Sequence, residues 1–383
     1  MSTTVGELSA TIESIAPPGY AEPWDNVGLL VGDPAAAVNG PVVLTLDLTP
    51  AVIDECERVK AGAILAYHPP IFQPIKRLTA LDQRQHAVLR AVRAGMAIYS
   101  PHTALDGAPG AMSDWLADCA LPAGSPRAAD RRALLPRALP TPTQEAKIVT
   151  FVPAGEVDKV RGALASAGAG LIGEYSVCSF SAPGTGTFLG SPDTSPATGK
   201  PGVLETLGEV RLEMVIPLRA VALAVELLNQ FHPYEEVPVD VYPLLPKPRR
   251  EAGTGRRLML DEPVTLTEMA ERMKRSLKIG HVQVAPAACH GPGHRFSRIG
   301  LCPGAGAALI EIAAAERCEL FITGEAKHHE VLDANARGLT VLLAGHSNTE
   351  RGYLPHLALR LGGLLPGLTF VTAASDRTLM QTV

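Results

Sequence analysis

Hydrophobic and polar residues follow one another along the first 120 residues in a rhythm that predicts alternating helices and strands. Apolar residues at helical spacing predict a first helix that ends at Pro17, and the run 40–49 is rich in Val, Leu and Thr, which favour a buried strand. Helical spacing and short strand-like runs then alternate through the segments 50–62, 63–67, 84–95 and 96–100. This order predicts a largely parallel sheet covered by helices.

The rest of the chain divides into a middle unit and a second region of alternating helices and strands. Residues 121–146 are rich in Pro, Arg and Ala without steady periodicity and are predicted to form a linker, as are residues 247–254. Between them, residues 147–246 have the pattern of one small α+β domain. We therefore predict an α/β fold, in which a split α/β/α domain is interrupted by this smaller inserted domain. The two halves of the split domain are residues 1–120 and 255–383.

Composition and charge narrow the kinds of partner that the protein can have. Hydrophobic residues make up 46% of the 383 residues, enough for a large core, and the net charge of −5 comes without basic clusters. We therefore expect a small-molecule substrate, and neither a nucleic-acid groove nor a membrane surface. The six cysteines form no C-x-x-C pair, and neither a signal peptide nor an apolar run of ~18 residues is evident, which predicts a cytoplasmic protein.

Side chains that can bind metals follow three of the predicted strands. His68 follows the second strand, His102 and Asp106 follow the third, and the last strand precedes His346 and Glu350. Because ligands bind beyond the carboxyl ends of strands in open α/β sheets, these strand ends are expected to form a site. Imidazole nitrogens and carboxylate oxygens suit a catalytic Zn, Mn or Fe ion better than a closed structural site.

Each of these residues also has a purely structural interpretation. His68 alone fits a hydrogen-bonded histidine at a strand end, and Asp106 fits an ordinary turn residue. Glu350 is the last residue of the sequence S-x-x-E, which is typical of a capping box at the start of the next helix. Their joint position at three strand ends favours the metal site.

Two further features compete for a functional role. The segment 298–315 predicts a strand, a Gly-rich turn and a helix that could bind a phosphate, but it lacks both G-x-G-x-x-G and a P-loop lysine, so a tight turn is preferred. Farther along, His328 and His329 stand near Glu325 without the H-E-x-x-H spacing. A solvated helix face explains them, with His329 as a candidate for supporting a ligand.

Seven segments, in this order along nearly the whole chain, resemble the Nif-three-like family of dinuclear-metal hexameric proteins. They are WDNVGLLVG, LTLDLT, YHPPIF, SPHTALD, the pair AGAGLIGEYSVCSF and FHPYEEVPVDVYPL, FITGEAKHHEVLDA and AGHSNTE. The resemblance implies an α/β domain interrupted by a smaller domain of the nitrogen-regulatory PII-like kind. It also implies a toroidal homohexamer, and many members are called GTP cyclohydrolase 1 type 2 homologs.

By this resemblance the family's metal ligands fall on His68, Asp106, His346 and Glu350, with Glu350 bridging two ions. Tyr67 departs from the usual pattern, which has a histidine at its position and would use it to bind the ion that His346 holds. A Tyr67 phenolate could replace that ligand, but its ordinary pKa of about 10 requires the cation to remove the proton. We therefore expect one or two divalent ions, Zn, Mn or Fe, per subunit.

Residues and resemblance together predict a metal-dependent hydrolase of the GTP cyclohydrolase 1 type 2 kind, acting on a small nucleotide-like substrate. His329 or His102 is predicted to carry a proton during the reaction, because imidazole titrates near neutral pH. The alternative is a non-catalytic metal-binding scaffold or a regulatory hexamer whose PII-like domain senses a ligand. Metal storage or trafficking is a third hypothesis, for which easy metal exchange is the distinguishing property.

Overall fold

The chain divides into two compact units. The computed structural model describes residues 2–122, 130–378 and 380. The core unit spans Met1–Ala138 and Pro248–Val383, and the inserted unit spans Leu139–Lys247. The part of the chain between residues 121 and 146, which we predicted to be a linker, contains a strand, and residues 123–129 lie outside the described residues.

The first sheet of the core unit has five strands, four of them parallel. Its order is β1 (Gly28–Val31), β4 (Ala97–Ser100), β3 (Ala63–Ala66), β2 (Val42–Thr45) and β15 (Phe370–Thr372), with β1 antiparallel to its neighbour. Every residue of β2, β3 and β4 is buried, as expected for parallel strands that are covered on both faces.

The second sheet of the core unit has six strands. Its order is β11 (Gln283–Ala285), β14 (Thr340–Leu343), β13 (Leu320–Thr323), β12 (Arg295–Cys302), β10 (Gly253–Thr265) and β5 (Asp130–Pro136). The three strands β12, β13 and β14 are parallel, and the other pairings are antiparallel. The mixed α/β class is confirmed, but two sheets replace the single sheet that we expected.

Each sheet takes one strand from the other half of the chain. The C-terminal strand β15 pairs with β2, and β5, from the N-terminal half, pairs with β10. The pairing of β5 with β10 was missed in the sequence, because β5 lies in the Pro-rich segment predicted as a linker and β10 begins at Gly253, within the second predicted linker. A buried ion pair joins the halves as well: Arg256 of β10 binds Asp114 through two hydrogen bonds of 3.1 and 2.8 Å.

Some helices of the core unit begin at residues whose side chains satisfy free backbone N–H groups. The capping boxes of Thr4 with Glu7 and of Thr265 with Glu268 begin two of them. The helices are α1 (Val5–Ile15), α2 (Pro50–Arg58), α3 (Gln83–Arg93), α4 (His102–Gly107), α5 (Met112–Cys119), α8 (Leu266–Leu277), α9 (Ile310–Ala315), α10 (His328–Ala336) and α11 (Leu354–Leu364). In the described part of the chain, no helix has both the length and the hydropathy needed to cross a membrane.

The inserted unit is a four-stranded antiparallel sheet with two helices. The strand order is β7 (Phe180–Leu189), β8 (Leu204–Ile216), β6 (Ala146–Val152) and β9 (Val239–Pro243). Its core forms where α6 (Val157–Ser166) and α7 (Val221–Phe231) pack against alternate residues of β6 and β8. This is the α+β arrangement of one small domain, and its PII-like character stays a prediction.

Candidate metal centre

Three of the predicted ligands meet where strands of the two sheets of the core unit end. His68 follows β3, and both His346 and Glu350 follow β14. Each of the three offers a ligand atom within 4.8 Å of the others. The Nε2 atom of His68 is 3.6 Å from Oε2 of Glu350, and Nε2 of His346 is 3.2 Å from Oε1. The buried carboxylate of Glu350 therefore lies between two imidazoles.

The Nδ1 atom of each imidazole contacts a further carboxylate. Nδ1 of His68 lies 3.0 Å from Oδ1 of Asp47, and Nδ1 of His346 lies 3.0 Å from Oε1 of Glu325. Such carboxylates hold the Nδ1–H tautomer and turn the Nε2 lone pair toward a metal site. Sequence reasoning missed both roles, because a hydrogen bond between residues 21 apart leaves no local pattern.

The charges of this cluster stabilise one another. Burial alone would lower the pKa of His68, but the hydrogen bond to Asp47 and the nearby Glu350 carboxylate, whose Oε2 lies 3.6 Å from Nε2, outweigh burial and raise the pKa to about 10. The hydrogen bond to Glu350 is the main cause that raises the pKa of His346 to about 9. Burial would raise the pKa of Glu350, yet the two imidazoles hold it below its ordinary value. The ionised carboxylate is thus the favoured state of Glu350.

Asp106 and Tyr67 adjoin the cluster as a hydrogen-bonded pair. The buried Tyr67 hydroxyl donates to Oδ1 of Asp106 over 2.6 Å, and the Tyr67 ring lies 4.9 Å from the ring of His68. Burial and the nearby Asp106 charge raise the pKa of Tyr67 well above its ordinary value, and burial raises the pKa of Asp106 to about 7. In this arrangement the phenol is a donor to a carboxylate, so a Tyr67 phenolate ligand stays a prediction.

His102 lies beside this pair and is held by a buried carboxylate. Its ring centroid is 5.4 Å from those of both Tyr67 and His68. Its Nδ1 is 2.7 Å from Oδ1 of Asp25, and the other oxygen of Asp25 accepts hydrogen bonds from the backbone N–H and the hydroxyl of Thr103. The bond to Asp25 favours the tautomer with hydrogen on Nδ1, which leaves Nε2 free to accept a proton.

The Gly-rich turn after β12 makes room for the cluster. A Cβ on Gly304 would lie 2.5 Å from Oε1 of Glu350 and 3.3 Å from Nε2 of His346, and its φ of +60° also favours glycine. The backbone N–H groups of Gly304 and Gly306 donate to the hydroxyls of Thr349 and Thr323. Because these donors already have internal acceptors, the turn is a tight turn, as preferred from the sequence, and does not present them to a phosphate.

The structure also shows where Glu350, considered above as a capping residue, and His329, considered as a proton carrier, lie. Glu350 is not the last residue of a capping box, because residues Ser347–Thr349 form a separate 3₁₀ turn and its carboxylate points to the imidazoles. His329 lies exposed in the first turn of α10, and no hydrogen bond or ring contact joins it to the cluster within the described residues. The structure therefore brings His102, and not His329, next to the predicted ligands.

Comparison with known proteins assigns the chain to a family. Residues 3–377 match the family described as Duf34/NIF3 (NGG1p interacting factor 3). The chain is 34% identical to the GTP cyclohydrolase 1 type 2 homolog of Mycobacterium tuberculosis over 349 residues, which cover 90% of this chain and 86% of that protein. It is 33% identical to human NIF3-like protein 1 over 383 residues, covering 98% and 92% of the two chains.

A solved structure agrees with these sequence relatives. The crystal structure of a Bacillus cereus protein related to NIF3 superimposes with a TM-score of 0.69 at 29% identity, covering 99% of each chain. The resemblance read from the seven segments is thereby confirmed at the level of the whole chain. The protein belongs to the Duf34/NIF3 family.

Proposed function

We propose that this protein binds divalent metal at the cluster of His68, His346 and Glu350, and that it is a metal-dependent hydrolase of small nucleotide-like substrates. The observation that carries the proposal is the environment of Glu350. Its side chain is only 3% exposed, it lies between two imidazoles, and its Oε2 accepts no hydrogen bond from the described residues. A buried carboxylate oxygen without a partner is costly unless something positive binds there.

The residues present fit such an ion. Both imidazoles have Nδ1 engaged by a carboxylate, so each can offer its Nε2 lone pair on the side of Glu350 once an ion has displaced the Nε2 proton. Gly304 leaves the space next to Oε1 of Glu350 free of a side chain. Two nitrogens and carboxylate oxygens without a thiolate suit Zn, Mn or Fe. Asp106 lies outside the group of His68, His346 and Glu350 but is hydrogen-bonded to Tyr67 beside it, and we propose it as a further ligand.

The surrounding residues supply the acid and base chemistry that a hydrolase needs. When bound, a divalent ion supplies a Lewis acid that polarises a substrate oxygen and lowers the pKa of a water molecule. His102 accepts a proton at Nε2, and Asp25 stabilises the resulting imidazolium through Nδ1. Tyr67 holds the Asp106 carboxylate in a fixed orientation through its hydroxyl. His329, the other predicted proton carrier, has no contact with these groups in the described chain.

The names of the relatives favour a nucleotide as the first substrate class to be tested. Several are called GTP cyclohydrolase 1 type 2 homolog, including those of Mycobacterium tuberculosis and Bacillus subtilis. In a reaction of that kind the attacked atom would be the C8 carbon of guanine. The donors of the Gly304 turn have internal acceptors, so the phosphates of a nucleotide would have to bind elsewhere.

Metal content and turnover of Glu350→Gln test the proposal together. Glutamine keeps the shape of the side chain but loses the charge and one ligand oxygen, so we expect bound metal to fall at least about tenfold at equal free metal. GTP hydrolysis and that of other nucleotides should be lost with it. Glu262→Gln is the matched control, because Glu262 is exposed on β10. Unchanged metal content in Glu350→Gln would contradict the proposed site.

The alternative function, a metal-binding scaffold or regulator, differs in one measurable respect. The pairing of Tyr67 with Asp106 favours it, because a phenol that keeps its proton leaves fewer ligands for a second ion. Metal binding without any nucleotide turnover that tracks metal content would support it. The toroidal homohexamer is part of the proposal in either case, and light scattering of the purified protein tests it.

A further inference from the structure

A cavity in the inserted unit has the properties of a second ligand site, unrelated to the metal cluster. It measures about 410 Å³, within the range of small-molecule pockets, and it lies where the end of β6 meets β7, β8 and the segment 234–238. Part of its wall comes from the segment FHPYEEVPVDVYPL, which the resemblance singles out in the middle of the chain. The metal hydrolase proposed above does not use this segment.

A loop closes this cavity and is held in place. Residues Thr194 and Pro196 to Thr198 line it together with Tyr234 and Glu235. The Glu235 carboxylate accepts the backbone N–H of Ser195 with both oxygens, at 3.0 and 3.1 Å. Because these hydrogen bonds fix the loop to the segment that carries Glu235, the cavity is formed in the absence of a ligand, and less conformational entropy is lost when one binds.

The chemistry of the walls is aromatic and acidic. Three rings, those of Phe151, Phe188 and Tyr234, line the cavity together with Glu209, Glu235 and Glu236. No Lys, Arg or His is among the described residues that line it. An aromatic face attracts a cation through its quadrupole, and carboxylates add a direct charge attraction.

Glu209 is placed to meet a charged ligand. Its Oε1 accepts the Tyr234 hydroxyl at 2.7 Å, whereas its Oε2 accepts no hydrogen bond from the described residues. A Cβ on Gly186 would clash with Oε2 of Glu209, so this carboxylate occupies space that only glycine leaves open. One carboxylate oxygen is thus fixed by Tyr234 and the other is available.

The inserted unit also carries the net charge of the whole protein. Residues 139–247 contain seven Lys and Arg against twelve Asp and Glu, a balance of −5, which equals the net charge of the full chain. The guanidinium of Arg211 lies 5.7 Å from the centre of the Phe151 ring and is paired with Glu213 at 2.8 Å. The Arg211 guanidinium thus makes a cation–π contact with the Phe151 ring, and the Glu213 carboxylate neutralises its charge.

We propose that this cavity binds an organic ammonium ion that carries an apolar group, with Glu209 as the charge partner and the three rings as the apolar walls. The ammonium group meets the free oxygen of Glu209, and the apolar group fills the space between Phe188 and Tyr234. A ligand of this class would make the inserted unit a binding module for amines.

Calorimetry on the full chain with three matched probes tests this proposal. The probes are 2-phenylethylammonium, the neutral 2-phenylethanol and the anionic 3-phenylpropionate, which share one ring and differ in charge. We expect the ammonium ion to bind with a dissociation constant below ~1 mM, and the alcohol and the carboxylate at least about tenfold more weakly. Equal binding of the alcohol or the carboxylate, or no binding of the ammonium ion, would overturn it.

Variants locate the binding at this cavity. Glu209→Gln should weaken ammonium binding at least about tenfold, while Glu226→Gln, an exposed residue of α7 outside the cavity, should leave it unchanged. Phe188→Leu tests the ring independently and decides the matter if Glu209→Gln fails to fold, which circular dichroism shows. Its expected effect is a loss of about threefold or more. Full binding in a folded Phe188→Leu or Glu209→Gln protein would overturn the assignment.

Discussion

Nδ1 of His102 lies 2.7 Å from Oδ1 of Asp25, whose side chain is 0% exposed. The backbone of His102 has a φ of 28°, outside the usual regions for a residue with a side chain, so its position is strained. Strain of this kind persists only where the surroundings enforce it, and it concentrates at functional sites. Asp25 is therefore a positioning residue for His102.

Asp25→Asn should disturb His102 without emptying the metal cluster. The amide cannot stabilise an imidazolium, and it no longer selects the tautomer with hydrogen on Nδ1. We expect turnover to fall about 10²-fold or more, while metal content stays within about twofold of wild type.

Nitrogen NMR of the histidine tautomers reads this change directly. The Nδ1–H signal of His102 should be present in the wild type and lost or mixed in Asp25→Asn. Asp261→Asn, at an exposed position of β10, serves as the control. A retained tautomer together with normal turnover would show that Asp25 has only a structural part.

Tyr67→His should change the number of bound ions. The Tyr67 hydroxyl donates to Asp106, and a neutral phenol is a much weaker metal ligand than a phenolate or an imidazole. An imidazole at this position adds a nitrogen ligand, and we expect about one more ion per chain by elemental mass spectrometry.

Tyr67→Phe separates this effect from the loss of the hydroxyl. It keeps the buried ring and removes the donor to Asp106, so the metal content should not rise. Wild-type protein that already holds about two ions per chain, unchanged in Tyr67→His, would mean that the phenol or water completes the second site.

Gly304→Ala should close the space beside Glu350. The added Cβ would lie 2.5 Å from Oε1 of Glu350, at a backbone φ of +60°. We expect a loss of unfolding free energy of about 1–2 kcal/mol in metal-free protein and a marked loss of metal affinity. Gly280→Ala is the control, since its Cβ would meet nothing within 4 Å. Equal effects of the two substitutions on metal binding would argue against a crowded site at Gly304.

Glu55→Gln should make the stability of the protein less dependent on pH. The Glu55 carboxylate on α2 accepts hydrogen bonds from Ser375 Oγ at 2.5 Å, Ser375 N at 2.8 Å and Ala374 N at 3.1 Å. The Ser375 hydroxyl is the main cause that lowers the pKa of Glu55 in the folded state. A lowered folded-state pKa stabilises the protein above the unfolded-state pKa of about 4.3, and this contribution is lost as the pH falls.

Urea unfolding at several pH values measures this contribution. Near pH ~7, Glu55→Gln should be about 1 kcal/mol less stable than wild type, and the difference should shrink as the pH falls below ~4. Glu262→Gln, which is exposed, should follow the wild type. A difference that stays constant with pH would mean that Glu55 acts through packing and not through its charge.

Much of the site could be predicted from the order of the amino acids. Short apolar runs followed by His68, by His102 with Asp106 and by His346 mark strand ends, and the carboxyl ends of parallel strands meet at one edge. This pattern of an apolar run followed by a polar side chain involves only neighbouring residues, so it can be recognised in the sequence. The two units could be anticipated for the same reason, although the boundaries near residues 121–146 were wrong because a Pro-rich segment can still pair at a sheet edge.

Hydrogen bonds between residues that are far apart in the sequence are seen only in the tertiary structure. Asp25 with His102, Asp47 with His68 and Glu325 with His346 are hydrogen bonds between residues 21 to 77 positions apart. The exchange of β5 and β15 between halves, and the hydroxyl of Tyr67 turned to Asp106, are equally non-local. Local patterns determine which residues end a strand, whereas the tertiary arrangement of the two sheets determines which of those residues touch.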